Sequence, residues 1–321
     1  MTRARRAPWL QLVLGALWLL VPAWIWMTRA GVLLAGHPAY AVTVTVAAVV
    51  GVVLLGLGLR GALGDSTEPD GRPRRSRWMQ VVGAAVVIVL SLLVLGVLGW
   101  LRPFGASPQA VALMDGTPEV EVTDAASRIT LTPTAAAPTT GLVFQPGARV
   151  DPRAYLPLLS EVAADGYLVV VVKQPFDIGF TAVGAPERVV ADHPEVAAWA
   201  TGGHSLGGVV ASAYAADHPD EVDGLLLWAS YPLDDLSSRE DLAVTTVSGS
   251  EDGLATPEDI ETSLADLPPQ TEVVEVAGAV HAFFGDYGEQ PGDGIPGTSR
   301  AEARTQIVGA STALLEEVSG R

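Results

Sequence analysis

Three uncharged apolar runs fill most of the first third of the chain and decide what that part can become. Trp9–Met27, Ala39–Leu59 and Met79–Leu101 hold 19, 21 and 23 residues with no Asp, Glu, Lys or Arg among them. Each is long enough, as a helix, to cross a hydrocarbon layer of about 30 Å. A buried helix of a soluble protein is the alternative, and three such runs with no charge among them argue against it. Six of the eight Trp (Trp9, Trp18, Trp24, Trp26, Trp78 and Trp100) stand in or beside the runs, several at their ends, where aromatic belts form.

Arginine placement predicts the orientation. Arg3, Arg5 and Arg6 precede the first run, and Arg60, Arg72, Arg74, Arg75 and Arg77 separate the second from the third, whereas the loop Thr28–Pro38 carries only Arg29. Positive residues stay on the cytoplasmic side, so the N-terminus and the 60–77 loop are expected inside and everything after Arg102 outside, in a multi-pass cell-membrane protein. No small-residue cleavage site follows the first run at Trp24-Ile25-Trp26-Met27-Thr28, so it reads as an uncleaved anchor.

Charge divides at the same place. Residues 1–102 hold 10 Arg and 3 acids (+7), and residues 103–321 hold 9 basic and 33 acidic residues (−24), which together give −17. So acidic a second half repels phosphate backbones, which argues against a nucleic-acid partner, and the charge reads as a solvated surface. The absence of Cys excludes disulfides, thiolate metal sites and a thiol nucleophile.

Residues 103–118 read as a linker, and 119–321 as one domain large enough for its own core. Glu119–Val122 and Arg128–Thr132 alternate around a turn and predict a hairpin. Strands are then expected at Gly141–Gln145, Tyr167–Val172, Trp199–His204, Val222–Ala229, Leu242–Ser248 and Thr271–Val276. Helices are expected at Asp151–Asp165, Leu206–Asp217, Pro257–Leu267 and Ser299–Val318. Continuous apolar strands alternating with helices imply an α/β fold, a mostly parallel sheet with helices on both faces, preceded by three transmembrane helices.

Gly203-His204-Ser205-Leu206-Gly207 is a G-x-S-x-G lying between an expected strand and an expected helix. A serine nucleophile needs that sharp turn, and the glycines are there because side chains would collide with the strand and helix alongside. The hydroxyl needs a base and the base needs an orienting acid. Of the five histidines, His37 lies in a membrane loop, His193 and His218 precede prolines at expected helix ends, and His204 should point away from Ser205. His281, just after the last strand, is the expected base. Asp252, after the preceding strand, is the expected acid, with Glu251, Asp234 and Asp235 as alternatives. The Leu206 N–H at a helix N-terminus and the Ala148 N–H after Gly147 are the expected oxyanion donors. Lys173 and Arg149 are weaker substrate-binding candidates. Asp286 and Asp293 read as turn formers, and no metal or other cofactor is expected.

Several segments together resemble a family. Phe144-Gln145-Pro146-Gly147-Ala148, the Tyr155 helix, Gly166-Tyr167, Lys173-Gln174-Pro175-Phe176, Gly203 to Gly208 and Gly278 to Gly288 are similar to the α/β-hydrolase family, over about residues 141–318. More narrowly they resemble its small bacterial membrane-tethered branch related to dienelactone hydrolases. The resemblance implies a hydrolase using Ser205, Asp252 and His281. Dienelactone hydrolases proper use Cys, which this chain lacks, so lactone hydrolysis does not carry over. The expectation is a membrane-anchored serine hydrolase, an esterase acting on a small-molecule acyl substrate. The site is expected to be open, because too few residues separate Ala229 from Leu242 for a cap. The competing expectation is a non-catalytic tethered binding or scaffold protein; the sequence identifies no protein partner.

Overall fold

The computed structural model describes residues 8–63 and 77–320. Arg3, Arg5, Arg6, Arg72, Arg74 and Arg75, on which the expected orientation rests, lie outside the described residues. The chain divides into two compact units, the first drawn from residues up to Arg102 and the second from Pro103 onward together with Ala35–His37.

In the first unit, α1 (Pro8–Ala35), α2 (Pro38–Leu63) and α3 (Arg77–Trp100) are each long and apolar enough to cross a membrane. The first two helices run past the expected apolar windows, because helical backbone continues through Thr28–Ala35 and Arg60–Leu63 where hydropathy has already fallen. Pro22 lies inside α1, and the helix breaks at Arg29 (φ −139°, ψ 18°). Gly15 and Gly51 let α1 and α2 approach closely: a Cβ at Gly15 would lie 2.7 Å from the Leu55 nitrogen, and one at Gly51 would lie 2.8 Å from the Leu19 side chain. The Tyr40 hydroxyl donates to the Leu98 carbonyl at 2.7 Å and ties α2 to α3.

The second unit begins with a correction. The 103–118 stretch, expected as a linker, is packed into the domain and holds a short helix, α4 (Pro108–Ala112), capped by the Ser107 side chain. Phe104 pairs with Val150, donating to the Arg149 carbonyl at 2.6 Å and accepting from Asp151 N–H at 2.9 Å. The signal was Ser107 followed by Pro108, an N-cap before a first-turn proline, on a helix too short to show periodicity.

Eight strands follow: β1 (Val120–Asp124), β2 (Arg128–Pro133), β3 (Thr140–Gln145), β4 (Leu168–Val172), β5 (Ala198–His204), β6 (Gly224–Trp228), β7 (Ala243–Gly249) and β8 (Glu272–Val276). Their order is β1-β2-β4-β3-β5-β6-β7-β8. The β1–β2 hairpin joins β4 antiparallel, and β4, β3 and β5–β8 are parallel. The helices are α5 (Leu156–Ala164), α6 (Ala185–Asp192), α7 (Leu206–Asp217), α8 (Pro257–Ser263) and α9 (Arg300–Ser319).

Alternation along the central strands builds two cores, one on each face. Leu142 and Phe144 of β3 and Leu226 and Trp228 of β6 pack with α5 and α9. Their neighbours Leu225 and Leu227 pack with Ala211 and Tyr214 of α7, and Val143 packs with Val189 of α6. Period-two alternation with both faces apolar is what a sheet buried between helix layers requires. Two elements differ from expectation. The 151–165 helix opens as a 3-10 turn at Pro152–Tyr155 before α5 begins, and α6, expected only as a helix end before His193, has no extent legible in the sequence because only Pro186 and Val189 of it are buried.

Candidate active site

Strands β3 to β8 run in one direction, so the loops leaving them share one rim. Five non-glycine residues among those described have left-handed backbone: Arg149, Phe176, Asp177, Ser205 and Ala229. They follow β3, β4, β5 and β6, so backbone strain is concentrated at that rim, as it is at functional sites. Ser205 (φ 52°, ψ −126°) makes the turn from β5 into α7. Its N–H donates to the Trp228 carbonyl at 2.9 Å, and its own carbonyl accepts the Ser230 hydroxyl at 2.7 Å. A Cβ on Gly203 would overlap the Gln145 carbonyl and the Gly207 backbone, and one on Gly207 would overlap the Gln145 and Pro146 carbonyls. The motif's glycines are therefore forced by the close passage of the β3 loop beneath the turn.

Across the rim, the loops after β7 and β8 bring together a buried acid and a buried imidazole. His281 Nδ1 lies 2.8 Å from Asp252 Oδ2. The second Asp252 oxygen accepts the N–H groups of Leu254 and Ala255, each at 2.8 Å. An acceptor-only carboxylate at Nδ1 places the neutral ring's proton there and leaves Nε2 as the basic nitrogen. The other carboxylates considered from the sequence are elsewhere: Glu251, Asp234 and Asp235 are exposed, and Asp235 accepts from its own Ser237 N–H. No hydrogen bond joins Ser205 to His281; the His281 ring packs 4.5 Å, centroid to centroid, from the ring of His204, the residue before Ser205.

Two interactions around this centre were not legible as such. Asp293 accepts the backbone N–H of His281 (3.0 Å), Ala282 (2.8 Å) and Gly253 (3.3 Å). Its carboxylate therefore ties the base loop to the acid loop, beyond the turn-forming role the sequence suggested. Tyr155 joins the opposite side: its hydroxyl accepts the Gly147 N–H at 2.8 Å and lies 2.9 Å from His204 Nδ1. The Tyr155 oxygen thus joins the Gly147 amide to the His204 ring, as donor or acceptor to Nδ1 according to the ring's tautomer. Burial, helped by the neighbouring His281, holds His204 well below the usual imidazole range, so the ring is neutral. A Cβ on Gly147 would come within 2.7 Å of His204 Nδ1, which is why glycine stands there.

The Leu206 N–H at the start of α7 and the Ala148 N–H in the turn after Gly147 donate no hydrogen bond among the described residues. Free amides at this rim can receive a developing oxyanion. The weaker candidates are otherwise engaged. Lys173 is buried with its ammonium on Asp124 of the hairpin, and the Arg149 guanidinium lies 5.1 Å over the Phe104 ring. Asp286 accepts the Ser107 hydroxyl at 2.8 Å. Asp177, at the strained turn after β4, is pushed up to about 8 by burial and by Asp151. Beside Ser205 opens a cleft of about 150 Å³, walled in part by Leu206, Val209, Tyr231, Leu254 and Ala255.

A serine on a strained strand-to-helix turn, with an Asp–His pair on later loops of the same rim of a mostly parallel sheet, is the architecture of an α/β hydrolase. Residues 141–305 match the pattern of the "Alpha/beta hydrolase family", and the chain belongs to that family. Among solved structures, dienelactone hydrolase from Anabaena variabilis is 18% identical, covering 62% of this chain and 99% of its own, with a TM-score of 0.46. An α/β hydrolase enzyme from the metagenome of sediments from the lagoon of Mar Chica, Morocco, is 16% identical, covering 50% of this chain and 90% of its own, with a TM-score of 0.42. No curated protein matches the chain.

Proposed function

We propose that this chain is a membrane-anchored serine hydrolase that cleaves carboxylic esters outside the cytoplasm. The observation that carries the reading is the buried 2.8 Å pairing of Asp252 with His281 on the rim that also holds the strained Ser205 turn. In this reading His281 Nε2 takes the Ser205 proton as Oγ attacks the acyl carbon. The Leu206 and Ala148 amides hold the oxyanion, and Asp252 holds the imidazole in the tautomer that can accept. The proton passes to the departing alcohol, leaving an acyl-serine. Water, deprotonated by His281, then releases the acid, so ester and water become acid and alcohol. Unliganded sites often show catalytic hydrogen bonds long or unformed, and substrate closes the Ser205–His281 gap.

The competing reading, a non-catalytic tethered binding protein, has that missing hydrogen bond in its favour. Fluorophosphonate labelling of membranes decides between them. Wild type is expected to take the label and Ser205→Ala to take none; a folded wild type that resists labelling makes the chain a binder. Protease digestion of intact cells is expected to remove the domain after Arg102, and its full protection would overturn the outward orientation.

A further inference from the structure

Resting on the esterase reading, the character of the cleft narrows the substrate class. Of the residues lining the cleft beside Ser205, none is charged. Its walls combine the apolar side chains of Leu206, Val209, Leu254 and Ala255 with the hydroxyls of Ser205, Ser230 and Tyr231, and the Ser230 hydroxyl donates its proton to the Ser205 carbonyl. Six large hydrophobic side chains of the second unit are exposed among the described residues, and five of them, Phe180, Tyr231, Leu233, Leu254 and Ile295, stand on loops that follow β4, β6, β7 and β8. They do so on a domain carrying 33 acids against 9 bases, where exposed side chains are otherwise mostly polar. Two of the five, Tyr231 and Leu254, wall the cleft itself.

We infer that the cleft receives the acyl chain of an uncharged ester, and that Leu254 sets this choice. An acyl chain ending in a carboxylate would meet no cation there to replace the water it gives up. Leu254 has a particular standing because the Asp252 oxygen not used by His281 fixes its backbone. The wall is thereby held in register with the imidazole, while its half-exposed side chain can be exchanged without disturbing a core.

The test uses the full-length protein in detergent and two esters of equal chain length, p-nitrophenyl pentanoate and mono-p-nitrophenyl glutarate. Wild type is expected to favour the pentanoate in kcat/KM by tenfold or more, and to keep that preference in about 1 M salt, where charges are screened beyond about 3 Å. Leu254→Lys is expected to reduce the preference at least tenfold by supplying a cation to the glutarate. Equal rates, a preference that vanishes in salt, or a preference untouched by Leu254→Lys would overturn the inference. If Ser205 takes a fluorophosphonate but neither ester turns over, the inference alone fails. If Ser205 takes no label and neither ester turns over, the esterase reading fails with it.

Discussion

Asp293 accepts the backbone N–H of His281 and, with the same oxygen, that of Gly253, the residue after Asp252. One side chain thus spans the two loops that supply the imidazole and its carboxylate, and it reaches neither side chain directly. Its effect on chemistry has to pass through position. Misplacement by about 1 Å can cost on the order of 10²-fold in rate. Asp293→Ala is expected to lower kcat by about 10–100-fold with KM changed far less. Asp293→Asn, which keeps one acceptor oxygen but opposes an amide to the Ala282 N–H, should fall between. Steady-state kinetics on p-nitrophenyl pentanoate separates the two constants, and a change confined to KM would contradict a positioning role.

Asp252→Asn presents an amide to His281 Nδ1 and favours the wrong tautomer. By analogy with other Ser-His-Asp sites, kcat should fall by roughly 10⁴-fold. Asp234→Asn and Asp235→Asn, at exposed positions after β6, should stay within about twofold of wild type. Comparable losses in all three would return the acid assignment to the β6 loop.

Tyr155→Phe removes the hydroxyl shared by Gly147 and His204. Both groups are buried, and each unsatisfied partner costs about 1–3 kcal/mol. Thermal denaturation of the purified protein should show a lower midpoint. Gly147 precedes the Ala148 amide, so kcat should fall as well. An unchanged midpoint would mean that the hydroxyl bonds contribute nothing net.

The buried Asp177 makes stability pH-dependent in a defined sense. Its folded value, pushed up to about 8 by burial and Asp151, lies above that of an unfolded aspartate near 4. Between those values the folded state binds the extra proton, so stability is fullest below about pH 4 and declines as pH rises toward about 8. Asp177→Asn cannot ionise. Relative to wild type its melting midpoint should therefore rise progressively from pH 5 to about pH 8 and level off above. A constant difference across that range would mean that Asp177 is ionised in the folded protein throughout.

What could be read from the sequence was what local sterics and periodicity enforce. The apolar runs gave α1–α3 and the buried strands, and the G-x-S-x-G marked the turn because Gly203 and Gly207 have no room for a Cβ. His281 and the candidate acids, Asp252 first among them, were located by strand order, since parallel strands deliver their loops to one rim, but which carboxylate meets the imidazole was not legible. Contacts that depend on register or on long-range folding were not legible. Lys173 meets Asp124 only because β2 carries the hairpin alongside β4, and Tyr155 meets His204 only across the sheet edge. The short helices α4 and α6 lacked enough buried residues to show a period.

The divided loyalty of Asp252, one oxygen on the imidazole and the other on the amides of Leu254 and Ala255, bears on how such a protein can diversify. Both amide bonds are made to backbone, so the exposed side chain at 254 is free to vary, whereas that of the buried Ala255 and the spacing from 252 are not. In the proposed esterase, exchange of the single side chain at 254 would retune what the cleft admits, and a one-residue insertion or deletion in the same loop would break the carboxylate's hold on the imidazole.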